Sequence, residues 1–160
     1  GTGLAGRLAA DVTHSLALVE GTVCAWGSNS DGQCTVPTGR AWAAVGAGYD
    51  FSLGLTLEGD LVCWGSNVNG RCDVPQLKPG ERWVAASCGR SHSLGLTSDG
   101  MLHAWGNNND GQCNVPKRER WVAASAGKFH SLGLTAARAL RAWGWNAHGQ
   151  RNVPKLRPDE

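Results

Sequence analysis

Hydrophobic positions along this chain recur with a period of two, and no stretch carries the apolar stripe of an amphipathic helix. In His130-Ser-Leu-Gly-Leu-Thr135, Leu132 and Leu134 alternate with smaller residues, which predicts a strand. The segment before it, Trp121-Val-Ala-Ala-Ser-Ala-Gly127, is small and apolar, as suits a strand packed closely on neighbouring backbone. A returning strand is predicted over Met101-Leu-His-Ala-Trp105, ending on Gly106. Glu20-Gly21, Glu58-Gly59 and Ser98-Asp99-Gly100 separate such runs and mark hairpins, because Gly supplies a positive φ. A polar loop, Asn107-Asn-Asn-Asp-Gly-Gln112, then leads to Cys113-Asn-Val-Pro116, where Pro ends any pairing.

The whole unit repeats. Trp-Gly stands at Trp26-Gly27, Trp64-Gly65, Trp105-Gly106 and Trp143-Gly144, at intervals of 38, 41 and 38. Val-Pro follows at Val36-Pro37, Val74-Pro75, Val115-Pro116 and Val153-Pro154, at the same intervals. The longer interval comes from one connecting loop: Pro75 to Trp83 spans eight residues, where Pro37 to Trp42 and Pro116 to Trp121 span five. The chain therefore reads as a single domain, 1–160, with repeats at about 1–37, 38–75, 76–116 and 117–155 and a tail at 156–160. Short strands at even spacing, with an aromatic and several glycines per unit, predict an all-β fold: a β-propeller of about four blades, a partial ring.

Composition narrows the function classes. Hydrophobic residues make up 41% and charged residues 18%, which fits a folded domain. The net charge is only +2 and the basic residues are scattered, so no nucleic-acid partner is expected. No apolar run approaches the roughly 20 residues of a membrane-spanning helix. The chain begins Gly1-Thr2-Gly3-Leu4, without Met or a signal-peptide pattern, and reads as processed or cropped. The expected setting is intracellular and reducing, with any targeting segment missing.

The string Gly-x-x-His-Ser-Leu-Gly-Leu, an acidic-Gly turn, Trp-Gly-x-Asn-x-x-Gly-Gln and Val-Pro resembles the repeat of the regulator of chromosome condensation (RCC1) family, over about residues 5 to 155. Repeat one is worn, with Asp11-Val-Thr-His14-Ser15-Leu16-Ala17-Leu18 lacking the leading Trp and the Gly. Repeat two has Phe51 in the histidine slot, and repeat four has Ala136-Ala-Arg-Ala139 in place of the turn. The resemblance implies a ring of about seven blades, which needs on the order of 270 residues. Four repeats make about half a ring with two open faces, an aggregation liability. A fragment of a longer protein, two chains completing one ring, or a partner covering the ends would each resolve this; the fragment is ranked first.

Candidate chemistry is sparse. Trp26, Trp64, Trp105 and Trp143 share one register and are read as filling the space between blades. Plant ultraviolet receptors of the same family use Gly-Trp-Arg-His-Thr, but Gly89-Arg-Ser-His-Ser93 and Gly127-Lys-Phe-His-Ser131 contain no Trp. His14, His92 and His130 fall one per blade, so they are read as buried imidazoles bonding to backbone within their own blades. Cys34, Cys72 and Cys113 share a slot that Arg151 takes in repeat four, while Cys24, Cys63 and Cys88 are scattered. With no C-x-x-C pair, all are read as small buried thiols rather than zinc ligands or disulfides. Asn29, Asn67, Asn108 and Asn146 are read as loop braces. No catalytic residue, cofactor or metal is expected, and no enzymatic activity.

In a repeat scaffold, binding belongs where the copies disagree. Tyr49, Asp50, Arg90, Lys128 and Phe129 precede the histidine slot, and Trp145 and His148 interrupt a polar loop; these are the candidate partner-binding residues. The insertion Gln76–Glu81 is a further candidate. The expected function is a non-catalytic protein-interaction module or scaffold subunit, whose partners include further blades of the same protein or a second copy. The alternatives are guanine-nucleotide exchange on a small GTPase and enzyme inhibition, both fold-level analogies from the same resemblance.

Overall fold

Each repeat folds into one three-stranded antiparallel sheet, as seen in a computed structural model that describes residues 6–155. The tail at 156–160 lies outside the described residues. Blade 1 holds β1 (Leu8–Ala10), β2 (His14–Val19) and β3 (Thr22–Gly27). Blade 2 holds β4 (Trp42–Ala47), β5 (Phe51–Thr56) and β6 (Leu61–Gly65). Blade 3 holds β7 (Trp83–Cys88), β8 (His92–Thr97) and β9 (Leu102–Gly106). Blade 4 holds β10 (Trp121–Ala126), β11 (His130–Thr135) and β12 (Leu140–Gly144). The strands pair in chain order within each blade, and a single 3-10 turn at Val68–Gly70 is the one helical element among the described residues.

The leading Trp explains the glycine in the middle of the central strand. A Cβ on Gly54 would sit 2.3 Å from the Trp42 ring, one on Gly95 2.5 Å from Trp83, and one on Gly133 2.2 Å from Trp121. Those distances are far inside van der Waals contact, so the indole lies flat on bare backbone. Blade 1 has no leading Trp, and there Ala17 takes the glycine's place. The two departures of repeat one are a single change.

The hairpins show the same economy. In blades 2 and 3 the turn ends on Gly59 and Gly100, at φ 91° and 82°. Blade 4 keeps the turn bonds without the glycine: Arg138 donates to the Thr135 carbonyl, and Thr135 N–H bonds the Ala139 carbonyl. Arg138 thereby takes φ 62°, a left-handed conformation that costs a side-chain-bearing residue about 1 kcal/mol.

The core lies between blades. Leu16, Leu18 and Val23 of blade 1 pack on Trp42 and Trp64 of blade 2. Leu53, Leu55 and Leu61 meet Trp83 and Trp105, and Leu94, Leu96 and Leu102 meet Trp121 and Trp143. The two indoles at each junction tilt against each other with centroids 5.5 to 5.8 Å apart. Trp64, Trp105 and Trp143 are buried, but Trp26 is 55% exposed. The reading of four equivalent ring-filling tryptophans fails at this one, because among the described residues Trp26 has neither a partner indole nor a neighbouring blade to pack on.

Candidate functional site

Each junction is closed by a carbonyl that accepts two donors from the following blade. The Gln33 carbonyl of blade 1 accepts Ser52 Oγ at 2.7 Å and Trp64 Nε1 at 2.8 Å. The Arg71 carbonyl accepts Ser93 Oγ and Trp105 Nε1, at 3.1 and 3.0 Å. The Gln112 carbonyl accepts Ser131 Oγ and Trp143 Nε1, at 2.9 and 2.8 Å. These atoms are buried, so each pairing prevents the cost of a desolvated, unbonded polar group.

The histidines join the same network. His14 Nε2 lies 2.8 Å from Ser52 Oγ, and His92 Nε2 lies 3.0 Å from Ser131 Oγ. Each serine already donates its proton to a carbonyl, so the imidazole is the donor and its Nε2 carries the hydrogen. The expectation of bonding to backbone within one blade is therefore corrected: His14 and His92 bond to a side chain of the next blade. His130 is half-buried and its ring has no such partner among the described residues. Burial lowers His92 to about 4, with His130 adding to the shift. Burial also lowers His14, opposed by Asp11 and Asp50. His92 Nδ1 is buried without a partner.

Blade 2 fills the same space differently. Phe51 replaces the histidine, Arg71 replaces the glutamine, and Arg71 pairs with Asp50 while its guanidinium lies 5.9 Å from the centroid of the Phe51 ring. Asp50, a candidate loop contact from sequence, is thus engaged in the junction. The cysteines need a second correction. Cys63 and Cys72 form a disulfide, so the reading of six thiols fails at this pair. The other four are free, but Cys24 is exposed, so the reading of a buried thiol fails there as well; burial pushes Cys88 up to about 12 and Cys113 up to about 11. The recurrent asparagines brace their loops: Asn29, Asn67, Asn108 and Asn146 accept the N–H five residues on, at 2.7 to 2.8 Å.

The remaining sequence candidates meet on one face. The loop after Trp-Gly is tied to the loop before the histidine slot, as where Trp145 N–H bonds the Phe129 carbonyl at 2.9 Å. The guanidinium of Arg90 lies 4.5 Å from the Tyr49 ring centroid, and the ammonium of Lys128 5.1 Å from that of Phe129. Phe129 meets Trp145 edge-on at 5.9 Å, and Trp145 meets His148 at 5.1 Å. Tyr49, Arg90 and Lys128, with Asp11 and Val12, border a cleft of about 350 Å³. The insertion Gln76–Glu81 stands apart, over a wider groove shared with Arg40 and Leu61. Among the described residues no cluster of three metal-ligating side chains occurs, and no helix is long and apolar enough to cross a membrane.

Three-stranded blades joined by indole-to-carbonyl bonds define a β-propeller of the RCC1 type. The chain belongs to the regulator of chromosome condensation (RCC1) repeat family, whose model matches residues 42–71, 83–112 and 121–150, more than half of the sequence. Blade 1 is outside the match, in keeping with its worn repeat. Comparison with curated protein sequences finds no match. Among solved structures the chain is similar to Prp20p from Saccharomyces cerevisiae, with TM-score 0.77 and 21% identity over 88% of this chain and 45% of that one. It is also similar to the ectodomain of the receptor kinase CR4 from Physcomitrella patens, with TM-score 0.72 and 28% identity over 92% and 42%. Human WBSCR16 gives TM-score 0.72 and 20% identity over 84% and 45%. The chain thus spans a little under half the length of these structures.

Proposed function

We propose that the chain is a non-catalytic protein-interaction module, acting as part of a larger RCC1-repeat assembly. The observation that carries this reading is the aromatic and cationic surface running from Tyr49 and Arg90 through Lys128 and Phe129 to Trp145 and His148. Tyr, Trp and Arg are enriched at the residues that carry most binding energy at protein interfaces: the aromatic rings bury much area for few lost rotamers, and Arg adds charge-assisted hydrogen bonds. Here they come from loops where the repeats disagree, on a frame that does not need them. The partner surface this chemistry fits offers carboxylates beside apolar side chains. Prp20p has binding properties to Gsp1p and histones, which are properties of that protein. Nucleotide exchange and enzyme inhibition, the two narrower readings, gain no residue from this surface.

The test is capture of a partner by the intact chain and by a variant with Tyr49, Arg90, Phe129 and Trp145 all changed to Ala. Loss of a captured protein in the variant, with an unchanged melting transition, supports the reading. Equal capture by both proteins removes this face from consideration.

A further inference from the structure

Blade 2 alone, among the described residues, ties the loop after its last strand to that strand by a covalent bond: Cys63 on β6 is joined to Cys72. Cys72 follows Arg71 directly, and the Arg71 carbonyl is the atom on which Ser93 and Trp105 of blade 3 converge. The bridge therefore holds the acceptor of the junction between blades 2 and 3. Blades 1 and 3 show the same loop without a bridge. There Ala25 and Ala104 stand in the slot of Cys63. The thiols of Cys34 and Cys113 instead donate to the carbonyls of Ser28 and Asn107, at 3.2 and 3.3 Å. All three loops keep one brace, since Asn29, Asn67 and Asn108 each accept the cysteine N–H at 2.8 Å. The carbonyl equivalent to those of Ser28 and Asn107 is that of Ser66, which accepts no bond among the described residues.

We propose that Cys63–Cys72 is a reversible redox site that sets how readily the junction between blades 2 and 3 opens. The co-reactant is a dithiol. One of its thiolates attacks a sulfur of the bridge and displaces the other, and its second thiolate then resolves the mixed disulfide. Two electrons pass to the protein, Cys63 and Cys72 end as protonated thiols, and the reductant ends as a disulfide. Both cysteines are half-buried beside the exposed Val68 and Asn69, so the exchange takes place within the fold. Each new thiol has an acceptor at hand. Cys72 turns its side chain towards the Ser66 carbonyl, as Cys34 and Cys113 do towards theirs, and Cys63 Sγ lies 3.9 Å from the Arg71 carbonyl. The braced backbone thus serves both states, and what changes is the restraint. An open bridge leaves the loop more freedom to lift, and the Arg71 carbonyl lifts with it. The inference is independent of the loop-face reading above.

The test treats the whole chain with dithiothreitol in native buffer and follows thiol alkylation, circular dichroism and exchange of the tryptophan indole hydrogens by NMR. The expected result is that alkylatable cysteines rise from four to six while the β-sheet signal stays. The Trp105 indole hydrogen then exchanges about tenfold faster, and that of Trp143, whose junction has no bridge, is unchanged. Oxidised glutathione restores both the bridge and the slow exchange. Cys63→Ala, which gives blade 2 the Ala and Cys pattern of blades 1 and 3, shows the fast exchange with or without the dithiol. A bridge that yields only when the chain unfolds overturns the proposal, because the disulfide is then a fixed part of the frame. So does a reduced chain that loses its fold, or one in which Trp105 exchanges no faster than before.

Discussion

Where blade 1 meets blade 2, and again where blade 3 meets blade 4, a histidine reaches across to a serine of the next blade. Where blade 2 meets blade 3, Phe51 takes the histidine's place and an Arg71–Asp50 ion pair fills the glutamine's. Ser93 still donates to a carbonyl there, and so does Trp105. The serine, the indole and the shared carbonyl are therefore the part the frame requires. The imidazole is one of two ways to occupy the space beside them: it supplies a hydrogen bond, while phenylalanine supplies apolar volume. The exchange leaves one chemical mark, since only the histidine version places an imidazole, which takes up a proton in acid, beside the shared carbonyl.

Several experiments would break that comparison or sharpen it. Trp105→Ala and Trp143→Ala should each cost about 3–5 kcal/mol, equally at both kinds of junction, while Trp26→Ala costs within about 0.5 kcal/mol. Urea unfolding measures this, and a large gap between the two buried sites would show that the Phe51 junction is held by other means. Acid should separate the junctions next. His92 is neutral in the fold, with its value lowered from 6.5 to about 4, so the unfolded chain takes up the proton first. Stability is full above pH 6.5 and falls as the pH drops towards 4, by about 3 kcal/mol in all. His92→Phe, which copies the blade 2 solution, should flatten that dependence in thermal melts; a slope unchanged by the substitution would sink the assignment. Replacing Cys63 and Cys72 by Ala should cost about 2–3 kcal/mol, the loop-closure entropy of the bridge. The smallest effect has the opposite sign: Arg138→Gly should stabilise by about 0.5–1 kcal/mol, read as a raised melting temperature, by relieving the left-handed turn of blade 4.

Much of the frame was readable in the sequence because every strand and turn occurs four times in register. β11 (His130–Thr135) has the expected bounds, and the turn residues fall between strands as their φ values require. The histidine contacts were not readable, for a reason inherent to repeats. His14 bonds Ser52, one repeat later, and a sequence with a serine at this position of every unit looks the same whether the pair meets within a blade or across a junction. The disulfide escaped for a related reason. Cys72 falls in register with Cys34 and Cys113, its equivalents in other blades, whereas its partner occupies the slot held by Ala25, Ala104 and Ala142 elsewhere. Only blade 2 has cysteine at both positions. Trp26 shares the Trp-Gly motif of its three counterparts, and the missing leading Trp of repeat one is the sequence sign that it has no partner indole.

The one-repeat offset of the junction has a consequence for how such a chain lengthens. Every unit carries a socket, the carbonyl with its leucines, and a plug, the serine with its indole. Duplicating or deleting one whole unit therefore leaves all other seams chemically intact, and needs no compensating mutation at the cut. A change confined to a single seam, such as the appearance of Phe51 and Arg71 together, is likewise invisible to its neighbours. Copy number and seam chemistry are thus free to drift separately, and the loops that ride on the blades drift with them.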